Sequence, residues 1–197
     1  MNTPEPGLTN QERAHVIRLL HDSGNEFLEL TSGLTDAQWT WQAAPGRWSA
    51  QQTAEHLVLG ETAMLAMIEQ ALAAPPNPDW PEQDGRKTKF LNRVLPDRSH
   101  KATAPAPLEP HRHWTRAETI ARYKKGRAMT LQFVEEVDRP MKDHSAEHPF
   151  PVFNMLNAYQ WLLYIPLHNA RHNRQIAETL AEAFSQAWPE AVKEIVG

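Results

Sequence analysis

The chain has 197 residues, no cysteine and a formal net charge of -4. Without thiols, disulfides, thiolate metal sites and cysteine nucleophiles are all excluded, so any metal must be held by imidazole nitrogen or by oxygen. The acidic balance and scattered basic residues predict no nucleic-acid or membrane partner, and no apolar run approaches the ~20 residues of a membrane span.

From the start, Met1-Asn2-Thr3-Pro4-Glu5-Pro6 lacks the positive charge and apolar stretch of a signal peptide, so a cytoplasmic location is expected. A first helix is expected over about 9–32. It opens on Thr9-Asn10-Gln11-Glu12, carries the stripe Val16, Leu20, Ser23, Phe27, Leu30, and stops at Gly33. A second is expected over 49–73, opening on Ser49-Ala50-Gln51-Gln52. Its inward positions Thr53, His56, Gly60, Ala63, Met67 and Ala71 recur every three or four residues, and Pro75-Pro76 ends it. The short link between these two predicts antiparallel neighbours.

Residues 74–114 hold half of the chain's 16 prolines. They read as a long crossover with room for a short helix around Lys89 to Val94. A third helix is expected over 115–139, opening on Thr115-Arg116-Ala117-Glu118, with Ile120, Tyr123, Leu131, Val134 and Val137 inward and Pro140 as its stop. A fourth is expected over 154–186, before Trp188-Pro189, with Trp161, Ile165, His168, His172, Ile176, Leu180 and Ala183 on one face. No strand pattern of convincing length appears. The pattern predicts an all-α fold: one domain over 1–197, a four-helix bundle with a long Pro-rich crossover between helices 2 and 3.

Of ten histidines, seven read as solvated: His15 and His21 off the apolar stripe, and His100, His111, His113, His144 and His148 in loops. The other three occupy core positions. His168 and His172 stand at i and i+4, so both imidazoles leave one helix face and can converge on one cation. His56 lies on the inward face of helix 2. Three buried imidazoles with no common partner would leave several polar atoms unsatisfied, and a shared divalent ion resolves all of them.

His168-Asn169-Ala170-Arg171-His172 lacks the glutamate of a zincin motif, and no paired Glu-x-x-His of di-iron bundles is present. A mononuclear three-histidine site with an open position follows. Gln175 (three residues after His172), Glu61 (on the helix of His56) and Arg171 (next to His172) are candidates to lie beside it. Arg171 and Arg174 are candidates to hold an anionic substrate. Pro166 is expected to kink helix 4 near the site. Trp39, Trp41 and Trp48 read as core packing or a subunit contact.

Trp48-Ser49, His56, and His168 through Ile176 resemble the DinB/YfiT-like superfamily. His148-Pro149-Phe150 through Trp161 resembles that family's entry into its last helix, and the Ala104-Pro105 and Leu108-Glu109-Pro110 stretches resemble its segment before helix 3. The resemblance implies a four-helix bundle, a homodimer, and His56, His168 and His172 as ligands of a divalent metal, zinc or nickel foremost. It also implies a small-molecule substrate and, by likeness to family members that use low-molecular-weight thiols such as bacillithiol or mycothiol, a metal-dependent thiol S-transferase. The alternatives are a metal-dependent hydrolase, with Glu61 as the base, and a non-catalytic, stress-related metal-binding dimer.

Overall fold

Hydroxyl and amide side chains set where the helices begin. A computed structural model describes residues 5–99 and 103–186. The expected Trp188-Pro189 stop, His100 and residues 1–4 lie outside them. Thr9 caps α1 (Asn10–Thr31), Ser49 caps α3 (Ala50–Ala73) and Thr115 caps α5 (Arg116–Glu136), each in the reciprocal box expected from the sequence. The same device at Thr35 and Gln38 opens a short helix not foreseen in the first link, α2 (Asp36–Thr40).

The expected start of the last helix at 154 is corrected to α6 (Ala158–Gln186). Asn154 takes a left-handed conformation (φ 52°). The residues after it pair as β2 (Met155–Asn157), antiparallel to β1 (Ser145–Glu147), with Ala146 opposite Leu156. Asn157 then caps α6: its Oδ1 accepts from the Gln160 amide at 2.8 Å, and Gln160 Oε1 accepts from the Asn157 amide at 3.1 Å. This is a capping box with amides at both ends. α6 runs on through Pro166 to Gln186.

The crossover holds more order than its prolines suggest. The short helix expected at 89–94 is part of α4 (Trp80–Val94), whose Pro81 sits in the first turn, where a missing N–H costs nothing. Leu91 and Leu95 bury completely or nearly so against the core, and Asp84 accepts from Asn157 Nδ2 at 2.8 Å.

Helices α1 and α3 are not the neighbours that their short link suggested. α6 packs against α1 and α3, and α5 packs against the same two, so α1 and α3 face each other across the bundle diagonal. Contacts along the chain set the directions. Gln51 meets Trp114, Glu61 meets Arg127 and Glu69 meets Arg139, so α3 and α5 run parallel. Arg47 meets Glu182 and His56 meets His168, so α3 and α6 run antiparallel. Two parallel neighbours require a full-length return of the chain, and α4 makes that return alongside α6.

The apolar core falls into two clusters. One gathers Val16, Leu20, Ile68, Leu91, Val134 and Leu162; the other gathers Phe27, Ala54, Leu57, Tyr123, Ile176 and Leu180. On every long helix the gap between the two is polar: Ser23 on α1, Glu61 on α3, Arg127 and Thr130 on α5, and residues 168–173 on α6. A polar layer therefore crosses the middle of the bundle, and the three inward histidines lie in it.

Candidate metal centre

α6 carries two ladders through this layer, offset by one residue. The first is His168 and His172; the second is Asn169 and Asn173. The antiparallel run of α3 against α6 brings His56 to the first ladder. Its Nε2 lies 3.2 Å from His168 Nε2, and His172 Nε2 lies 3.0 Å from the same atom. Gly60, one turn after His56, leaves room for the His168 ring: a Cβ there would come within 3.3 Å of His168 Cε1.

The outer nitrogens fix two tautomers. His56 Nδ1 donates to the Leu108 carbonyl at 2.8 Å, and His172 Nδ1 donates to Gln175 Oε1 at 2.9 Å. Both Nε2 atoms therefore present lone pairs toward His168 Nε2. One proton on His168 can serve only one of these lone pairs at a time, whereas a cation can serve all three nitrogens. Two nitrogens bound tetrahedrally at about 2.0–2.1 Å from one ion stand about 3.3 Å apart, close to the two separations from His168 Nε2, and all three ligand atoms lie within 4.8 Å of one another.

Electrostatics points the same way. Burial holds His168 and His172 well below the usual histidine range, and the facing imidazoles add to the effect; burial also lowers His56. Neutral imidazole is the form that ligates metals. The residues fit a divalent ion. Among the described residues the cluster holds these three histidines and no carboxylate.

Of the flanking candidates, Gln175 touches the cluster directly. Arg171 donates to the Asp97 carbonyl, and Arg174 to the Pro96 carbonyl at 2.7 Å, so both pin the end of α4 to α6. Glu61 makes its bonds elsewhere. Its two carboxylate oxygens are each 3.1 Å from the Arg127 guanidinium, and one also accepts from Thr130 Oγ1 at 2.6 Å. It is one half of a buried ion pair, and none of these bonds goes to a histidine.

Other contributors were given no role at the site by the sequence reading. Trp48 was read as packing, yet its ring centroid is 4.9 Å from that of His56 and 6.4 Å from that of His172, so it walls the cluster. Arg127 also donates to Asn169 Oδ1, the Leu20 carbonyl and Ser23 Oγ, while Asn173 donates to the Ser23 carbonyl and Glu26. The signal was there: Arg127 breaks an apolar stripe between Tyr123 and Leu131, and Asn169 and Asn173 repeat at i, i+4 beside the histidine pair. His148, read as solvated, is buried against Trp161 with stacked rings 4.8 Å apart.

Fold and site together define a class: a bundle of four long helices whose central polar layer aims three neutral imidazoles at one point. Comparison with known proteins narrows this. The model of the DinB superfamily matches residues 19–176, and the chain belongs to that superfamily. It is similar to the uncharacterized protein YuaE of Bacillus subtilis (strain 168), with 24% identity over 148 residues, 74% of this chain and 85% of that protein. It is similar in fold to YfiT from Bacillus subtilis, described as a probable metal-dependent hydrolase with an unusual four-helix bundle topology. That match has a TM-score of 0.53 and 14% identity, and covers 95% of this chain and 94% of the other.

No helix among the described residues is long and apolar enough to cross a membrane.

Proposed function

We propose that this protein is a metal-dependent enzyme of the thiol S-transferase type, with His56, His168 and His172 holding a divalent ion, zinc or nickel. The observation that carries the reading is the approach of two Nε2 atoms, of His56 and His172, to within 3.2 Å of His168 Nε2, both with tautomers set by outside acceptors. Three protein ligands leave a coordination position for an incoming group. A divalent ion bound there lowers the pKa of a thiol or water that it contacts. The chain has no cysteine, so a thiol would come from a low-molecular-weight cosubstrate. Trp48, tilted against His56 and nearly parallel to the more distant His172 ring, gives one side of the cluster an apolar wall.

Hydrolysis, the activity ascribed to YfiT, would call for a base to take a proton from water. Glu61 is the carboxylate expected for that task, and it is committed to Arg127 and Thr130. An S-transferase has less need of it, because a thiol ionises far more readily than water.

The test is direct. Purified protein reconstituted with zinc or nickel should retain about one ion per chain, and conversion of any of the three histidines to alanine should abolish retention. The loaded protein should then conjugate bacillithiol, mycothiol or glutathione to an electrophile. Absence of bound metal would overturn the whole reading. Bound metal with turnover of no thiol would overturn the transferase assignment.

A further inference from the structure

The crossover that returns the chain beside α6 ends against the histidine cluster. Arg98, four residues after the end of α4, lies across α6 from outside. Its Nε and Nη2 donate to Glu178 at 2.8–3.1 Å, and its Nη1 donates to Gln175 Oε1 at 3.2 Å. The same Gln175 oxygen accepts from His172 Nδ1 at 2.9 Å.

We infer that Arg98, anchored by Glu178, is a positioning residue of the metal centre: through Gln175 it sets the His172 tautomer that leaves Nε2 free for an ion. The inference rests on the reading of the three histidines as metal ligands.

The logic lies in what each group can do. A guanidinium has donors and no acceptor. The atom of Gln175 that faces it must therefore be the amide oxygen, which removes the two-fold ambiguity of the amide. An oxygen can only accept, so His172 must place its proton on Nδ1 and its lone pair on Nε2, toward His168. Without Arg98 the amide is free to turn over. Its NH2 would then face Nδ1, make Nδ1 the acceptor and move the proton to Nε2, where it blocks the ion. Glu178 holds the guanidinium in place through a forked contact that a single point charge would not reproduce. His56 has no such ambiguity, because a backbone carbonyl holds its Nδ1 proton.

The measurements are zinc affinity, by competition with a chromophoric chelator, and the His172 tautomer, by long-range 1H–15N imidazole spectra of the metal-free full chain. In the unaltered protein His172 should be Nδ1-protonated. Arg98→Met should give a tautomer mixture and weaken zinc binding about 10–100-fold, the usual cost of losing a group that orients a ligand.

Gln175→Glu supplies the discriminating arm. A carboxylate accepts from either oxygen and needs no orienting, so Arg98→Met in the Gln175→Glu background should cost much less than in the native one. Arg98→Lys, which keeps a donor for Gln175, should recover part of the loss. Zinc affinity within twofold of native in Arg98→Met, with the tautomer unchanged, would overturn the inference while leaving the metal reading intact. If the native protein bound no zinc, the metal reading would fail, and the tautomer spectra would still decide whether Arg98 sets His172. Equal losses from Arg98→Met in both backgrounds would also overturn it, assigning Arg98 a general packing role.

Discussion

Gly60 illustrates how one missing carbon can serve a site at the expense of its helix. A glycine within a helix costs about 1 kcal/mol relative to alanine, yet a Cβ here would press on His168 Cε1 at 3.3 Å. Gly60→Ala is therefore expected to weaken zinc binding even if it favours α3. Chelator competition together with thermal unfolding of the metal-free protein separates the two effects, and unchanged affinity would refute the expectation.

His148 offers a second test at this scale. Burial pushes its pKa down to about 4 from an ordinary 6.5, while its Nδ1 accepts from the Phe150 amide at 3.0 Å. Between those two values the unfolded chain takes up a proton that the folded chain refuses. The contribution is thus complete above 6.5 and is lost as the pH falls toward 4. His148→Phe keeps a ring against Trp161 and removes that titration. Urea midpoints at about pH 7.5 and about pH 5 should fall less in the variant than in the native protein. The three cluster histidines, shifted the same way, supply the slope that remains.

At the scale of elements, side chains from one helix complete the end of another. Arg13 on α1 donates to the carbonyls of Val134, Glu135 and Val137, where α5 stops. α5 therefore ends at Glu136, three residues before the end expected at 139. Arg13→Met should destabilise the fold by about 1–3 kcal/mol, since it strips charged hydrogen bonds from orphan carbonyls; chemical denaturation measures this.

The start of α6 rests on Asn157 in the same way. Asn157→Ala should cost about 1–2 kcal/mol, and the loss should reach the histidine ladder, which the same helix carries. The three hydroxyl boxes at Thr9, Ser49 and Thr115 were legible because each precedes a periodic apolar run. The amide box at Asn157 was not, because Asn154 three residues earlier offers an equally polar start, and the three-residue strand β2 fills the interval between the two. α4 was hidden for a different reason: flanking prolines mark its surroundings as irregular, while Pro81 itself is compatible with a first turn.

For the whole molecule, the histidine set was legible from spacing but its setting was not. Periodicity tells which side chains face inward; it does not tell which helices adjoin. The link between α1 and α3 suggested a simple neighbouring pair, whereas the chain crosses the diagonal through α2 and later returns by α4. Periodicity also reads a core as continuous, and this one is divided by a polar layer. That layer is held by a buried ion pair, Glu61 with Arg127, whose side chains are 6% and 8% exposed. Removing one partner strands the other charge, so Arg127→Met should destabilise by about 3–5 kcal/mol. Pairing it with Glu61→Gln should recover part of that loss in a double-mutant cycle, and strictly additive losses would show that the two groups act independently.

The twin ladders of α6 lead to one more consequence. Asn169 and Asn173 clamp the helix to α1 and α5 one residue away from the imidazoles, so α6 cannot swivel about its own axis without tearing those amide bonds. The gap between its two imidazoles and the third on α3 is thereby a calibrated aperture rather than an adaptable grip. Such an aperture should sort ions by radius: those with short nitrogen bonds near 2.0–2.1 Å should seat, while calcium, which needs six to eight oxygens at about 2.3–2.6 Å, should be turned away at any practical concentration.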